Sequence, residues 1–208
     1  MWLKLLYKEG GHEMNPLNTI TGTLVAGVVM AVAIAFGTSL AGASMAGSII
    51  ILSHVAAGVV WIGLLYYFNF VQVPGLAAAA ADEGGPGPAA ISKYIVPTAL
   101  LWFRWAALAT WLTGATYLMI TGELINAFTL TGVYGITIGV GAWCGTVMLF
   151  NVWILIWPNQ KKALGMVEAT PEAIAKGKRI AFLASRTNTL LSIPMLMSMV
   201  GAHHGYFM

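Results

Sequence analysis

Residues 48–73 read SIIILSHVAAGVVWIGLLYYFNFVQV, and Ser48 to Val73 passes without one charged side chain. A helix that crosses a bilayer needs about 20 mainly apolar residues. This run is long enough and is apolar on all sides, which suits a helix surrounded by lipid and by other helices. It shows none of the alternation, in segments of about ten residues, that marks a strand of a membrane barrel. The fold is therefore decided by helices in lipid.

Four further runs of the same kind flank it, at about 17–40, 94–120, 127–157 and 179–202. The expectation is an all-α polytopic membrane bundle of about five transmembrane helices, forming one domain over residues 1–208. The first run has a short core, Leu24 to Phe36, and precedes the small residues Ser39 to Ala43, a pattern that overlaps a signal peptide. It is read here as a retained helix. The stretch from Ala77 to Ala90, which contains Gly84-Gly85-Pro86-Gly87-Pro88, is expected to be a flexible loop unable to propagate a helix.

Composition agrees. Hydrophobic residues make up 59% of the 208 and charged residues 8%, against about 25% charged in soluble domains. The net charge of +3 would suggest nucleic acid in a soluble chain, but in a membrane protein it is the placement of cations that counts. A nucleic-acid partner is not expected. The lone Cys144 offers no disulfide framework, no CxxC pair and no CxxCH site for covalent haem.

With five spans, the N-terminus and the 2–3 and 4–5 loops share one side. That side receives Lys4, Lys8, Lys93, Lys161, Lys162, Lys176, Lys178 and Arg179, and Arg104 and Arg186 lie about two turns inside it. The opposite side carries no Lys or Arg. This asymmetry predicts a cytoplasmic N-terminus and a periplasmic C-terminus in a bacterial inner membrane.

The same topology brings His54, early in the second span, to the external side with His203 and His204 at the end of the fifth. Two imidazoles on facing helices at similar depth are what a b-type haem needs for its axial positions. His54, Gly58, Trp61 and Leu65 share one helix face. Gly58 would leave room for a flat macrocycle, and Trp61 would pack at its edge. The alternative is a glycine that permits helix packing and histidines that bond backbone carbonyls or sit at the interface. His12, in the polar N-terminal segment, is expected to be solvated.

A second polar group, Arg104, Asn151, Arg186 and Asn188, lies toward the cytoplasmic side. Cations within a span need partners or a polar cavity. One reading is an anion, quinone-headgroup or substrate pocket held by Arg forks. The other is Arg side chains that reach to the interface or hold the bundle together. Gly135, Gly139, Gly141 and Gly145 form two GxxxG steps suited to close helix contact. The eleven methionines are scattered, as core filler rather than copper ligands would be.

Three segments together carry a family resemblance. His54-Val-Ala-Ala-Gly58-Val-Val-Trp61-Ile-Gly63, Asn151 to Lys161 through Trp157-Pro158-Asn159, and Ser185-Arg186-Thr187-Asn188 through Pro194 to His203 resemble motifs of the membrane domain of bacterial membrane-bound urate oxidases (urate hydroxylases). The likeness runs from about residue 50 to 204. It implies an oxidoreductase domain that passes electrons toward a c-type cytochrome, with His54 and His203 as haem ligands and Asn151, Arg186 and Asn188 as shared polar positions. In that family a cytochrome c domain commonly follows the membrane part, so the resemblance is to the membrane part alone.

The expected function is a haem-b-binding electron-transfer subunit working with a c-type cytochrome or with partner subunits of a larger membrane complex. His54 and His203 would ligate the metal, with His204 as substitute ligand, and no catalytic residue is assigned. The alternatives are an accessory subunit with structural histidines, and a urate-type oxidase using Arg104, Asn151, Arg186 and Asn188.

Overall fold

The computed structural model describes residues 15–39 and 45–205, and every regular element in them is helical. His12 and the stretch from Leu40 to Ser44 lie outside the described residues. The chain divides into two compact units, residues 1–49 and 50–208. In the first, Asn15 caps a short 3₁₀ turn and α1 runs Ile20–Ser39.

The helices that follow are α2 (Met45–Tyr66), α3 (Val73–Ala81), α4 (Val96–Ile120), α5 (Leu124–Thr129), α6 (Gly132–Phe150), α7 (Trp157–Ala163) and α8 (Pro171–His204). Four continuous helical stretches are long and apolar enough to cross a membrane: Ala46–Ala81, Ile91–Ile120, Gly132–Ala163 and Pro171–His204. The first expected span is present as α1, of which Ile20–Ile34 counts as a shorter apolar helix. Large apolar side chains such as Val59, Ile136 and Ile193 face outward, a surface that acyl chains can cover.

Two expectations need correction. Helix continues through the polyalanine of α3 as far as Ala81 and resumes at Ala89, so only residues 82–88 form the loop. Alanine is the best helix former, and the break comes only where Gly84 and Gly87 take positive φ between prolines. The fourth span does not begin near Ala127. There α5 is a separate short helix, ended by Leu130 in the left-handed region and by Gly132 at φ 72°.

Three wide π turns interrupt the long helices, at Tyr67–Gln72, Ile91–Ile95 and Asn151–Ile156. Each ends just before a proline: Pro74, Pro97 and Pro158 stand at the first turn of α3, α4 and α7. A proline ring clashes with the carbonyl four residues earlier and leaves it without a donor. A π turn moves that carbonyl aside, which accounts for the placement. Pro194 is accommodated inside α8.

The core gathers Trp61, Leu65 and Phe68 with Leu100, Phe103, Met148 and Val152. The two glycine steps of α6 face different partners. A Cβ at Gly135 or Gly139 would strike the carbonyl oxygens of Asn126 and Ala127, so this step is where α5 lies on α6. At Gly141 a Cβ would come 2.7 Å from Ser198 Oγ on α8, and Gly145 lies opposite Met195. Ser198 Oγ accepts from Gly141 N at 2.8 Å and donates to the Thr137 carbonyl, tying α8 to the backbone of α6. Immediately past the α6 terminus, Asn151 Nδ2 donates to Asn188 Oδ1 at 2.8 Å, and Asn188 Nδ2 donates to the Met148 carbonyl at 3.0 Å.

Gly141→Val should push α8 away and break the Ser198 bridge, at a cost of about 1–3 kcal/mol for overpacking. Thermal unfolding of the detergent-solubilised protein checks this. A melting temperature equal to that of the unmodified chain would show that the contact is not tight.

Candidate functional site

His54 lies on α2 against α4. Its Nδ1 is 2.9 Å from the Thr110 carbonyl oxygen, with Thr113 Oγ1 at 3.5 Å. A carbonyl can only accept, so Nδ1 carries a proton, and in the neutral ring the lone pair is then on Nε2. Gly114 makes this approach possible. A Cβ there would stand 2.8 Å from His54 Cε1 and 3.0 Å from Nδ1, and the ring could not reach the backbone. An imidazole pinned through one nitrogen by a backbone carbonyl presents the other in a fixed direction, the usual preparation of a metal-ligating histidine.

The ring borders a cavity of about 570 Å³ enclosed by α2, α4, α6 and α8, within the range of pockets that hold cofactors. His54, Gly58 and Trp61 line it from α2, as their shared face requires, whereas Leu65 drops below it into the core. A Cβ at Gly58 would touch only Thr110 Cγ2, at 3.7 Å, so the missing side chain widens the cavity. Gly141 and Gly145 line it from α6, and Met195 and His203 from α8. Among the described residues, no Lys or Arg lines it.

His203 and His204 both line the cavity. The His203 ring stacks on Tyr117, with centroids 6.4 Å apart, and lies within electrostatic reach of His54. His204 Nδ1 is 3.0 Å from the carbonyl of Val200 on its own helix. Of the two, His203 is the better placed to face His54. Trp61 is 1% exposed, and its indole N–H has no hydrogen-bond partner among the described residues.

A haem fits these residues. Two imidazoles that line one cavity from α2 and α8 would supply the donor set, and apolar and glycine walls suit a flat macrocycle. The residues missed from sequence are those on α4. Thr110, Gly114 and Tyr117 sit at i, i+4, i+7, the same spacing as the His54 stripe, and that match was the available signal.

The second polar group does not assemble into one pocket. Asn151 and Asn188 are buried and bonded to each other. The Arg104 guanidinium lies 3.8 Å from the Trp157 ring centroid, whereas exposed Arg186 lies beside Phe182 at 5.2 Å. Among the described residues no hydrogen bond joins either arginine to the asparagine pair. A polar cluster the sequence did not single out lies nearby: Asn69 Nδ2 donates to Ser185 Oγ at 2.8 Å, and Tyr66 and Ser192 hydroxyls meet at 2.9 Å.

Residues 123–208, from α5 onward, match a family model described as urate oxidase N-terminal. The matched part includes Asn151, Arg186, Asn188, His203 and the α6 and α8 walls of the cavity, and leaves out His54, Trp61 and Gly114. No curated protein and no solved structure matches the chain. The similarity to that family thus covers about the last two fifths of the chain, the part that carries His203.

Proposed function

We propose that this chain is a haem-b-binding electron-transfer subunit of a bacterial inner-membrane complex. One observation carries the reading: His54, its Nδ1 proton held by the Thr110 carbonyl, lines the same cavity as His203 of α8. When bound there, haem would supply one-electron chemistry. His54 and His203 would hold it from opposite sides. Thr110 fixes the His54 tautomer, Tyr117 steadies the His203 ring, and the apolar walls keep water from the centre.

Placement at the side without lysine or arginine would bring the group near the external surface, within reach of a c-type cytochrome or a partner subunit. This uses the orientation read from the cations, with the N-terminus and the 82–88 loop cytoplasmic.

The urate oxidase match over residues 123–208 favours a second reading, in which urate is the electron source. A reduced-minus-oxidised visible spectrum of the protein purified with its native partners tests both. A b-type α band is expected, and its absence overturns the haem reading. His54→Ala should abolish the low-spin band, and an unchanged band would remove His54 as ligand. Reduction of the band by added urate selects the oxidase; reduction only by a partner cytochrome or complex selects the relay.

Orientation is checked separately. In a Cys144→Ser background, Thr121→Cys should react with a membrane-impermeant maleimide in intact spheroplasts, and Glu83→Cys should react only after lysis. The reverse pattern would invert the assigned topology.

A further inference from the structure

Arg104 lies in the third turn of α4, within an apolar run. A cation at that depth needs a counter-charge or polar partners. Among the described residues its guanidinium forms no hydrogen bond and meets no Asp or Glu. The chain offers it a ring instead. Arg104 Cζ lies 3.8 Å from the Trp157 ring centroid, and Lys161 Nζ lies 5.8 Å from the same centroid. Lys161 has no acidic partner among the described residues either.

The neighbouring contacts hold this arrangement. Trp153 Nε1 donates to the Arg104 carbonyl at 3.2 Å, and the Trp153 ring meets Trp105 edge-on with centroids 5.3 Å apart. These contacts join α4 to the helical stretch that carries Trp157. Lys161 follows Trp157 by four residues, so the two share a face of α7. Two cations from two helices therefore stand beside one indole. Like charges this close raise each other's energy in low-dielectric surroundings unless an anion joins them.

The setting selects the anion. Arg104, Trp157 and Lys161 are half-buried and so can be reached from outside, and Leu101 and Trp105, beside Arg104 on α4, are exposed. A guanidinium that rests on a ring face keeps its N–H donors at its edges, and their fork matches the oxygens of a phosphate. An apolar flank next to that fork suits an anion with acyl chains attached. Basic pockets between membrane helices take lipid head groups in this way.

We infer that Arg104 and Lys161, ordered on Trp157, bind the phosphodiester of one anionic phospholipid, whose acyl chains lie along Leu101 and Trp105. A zwitterionic lipid has the same phosphate but adds an ammonium group, which the two cations repel. The site is separate from the His54 cavity and depends on neither haem nor the orientation of the bundle.

Native mass spectrometry of the delipidated, detergent-solubilised full chain tests this, by titration with phosphatidylglycerol or phosphatidylcholine of matched chains. One phosphatidylglycerol should bind in preference to phosphatidylcholine. Arg104→Gln and Lys161→Gln should each weaken it about fivefold, the worth of one basic side chain at an anionic lipid surface. Arg179→Gln removes an equal charge from an exposed chain beside Phe182 and should leave the affinity unchanged. Equal affinity for the two lipids, no loss in Arg104→Gln or Lys161→Gln, or an equal loss in Arg179→Gln overturns the site. Inorganic phosphate at matching concentration should not displace the lipid, and displacement would make this a site for free anions. Should a variant fail to fold, the unmodified protein decides the question with a phosphatidylglycerol that carries a photoreactive head. Labelling should fall on residues 101–105 or 157–161, and labelling confined to other segments overturns the inference.

Discussion

Everything in this bundle answers to one constraint: inside a bilayer no water is at hand to satisfy a polar group, so each must find its partner within the protein. The contacts between helices show the response. Ser198 reaches both an N–H and a carbonyl of α6, and Asn188 spans from Asn151 to the Met148 carbonyl. Apolar packing between helices gains little where lipid is equally apolar, so close backbone approach and interhelical hydrogen bonds carry the association. Glycine is what permits both. At Gly141 the absent Cβ is the space that Ser198 Oγ occupies.

The histidine follows the same rule and gains a chemical role from it. His54 could not remain in an apolar span with both ring nitrogens unanswered. Thr110 answers one of them, and Gly114 opens the way. The other faces a cavity. A half-buried imidazole satisfied on one side only is stable in lipid if something else completes it, and that is the physical ground for regarding this wall as a binding site. Asn151 and Asn188 give the contrast. Their side chains bond to each other and to backbone, so they ask for nothing from outside and read as structure.

How much of this was legible depended on whether the signal lay in one element or between two. Long charge-free runs announced the helices because lipid imposes composition directly. The GxxxG steps of α6 announced close contact, and His54 with Gly58 and Trp61 announced a shared face. The partner of His54 was not legible, since Gly114 acts through a distance that exists only once α2 and α4 are packed. The break ahead of α6 was also hidden, because Leu130 takes the left-handed conformation that glycine or asparagine would normally flag. The π turns had a signal that a hydropathy reading passes over: Pro74, Pro97 and Pro158 each stand two residues past the end of one. The arginines misled for a related reason. Depth in a span made Arg104 and Arg186 look like partners, but the azimuth of each side chain, which sequence depth does not give, sets them against different aromatic rings.

The two ends of the second unit divide the work. Toward the lysine-rich end lie the π turns and the polar contacts of Asn69 with Ser185, Tyr66 with Ser192 and Asn151 with Asn188. These bonds hold α2, α6 and α8 at fixed separations, and the side chains between them fill the interior. Toward the other end the same helices carry glycine at 58, 114, 141 and 145 along the cavity: Gly58 leaves space, while Gly114 and Gly141 let His54 and Ser198 come close. A cavity bounded by four helices in a fluid bilayer keeps its shape only if something below it is rigid. The hydrogen-bonded floor supplies that rigidity. The asparagines and serines would therefore serve the cavity without touching its contents, by keeping His54 and His203 at a constant spacing across it.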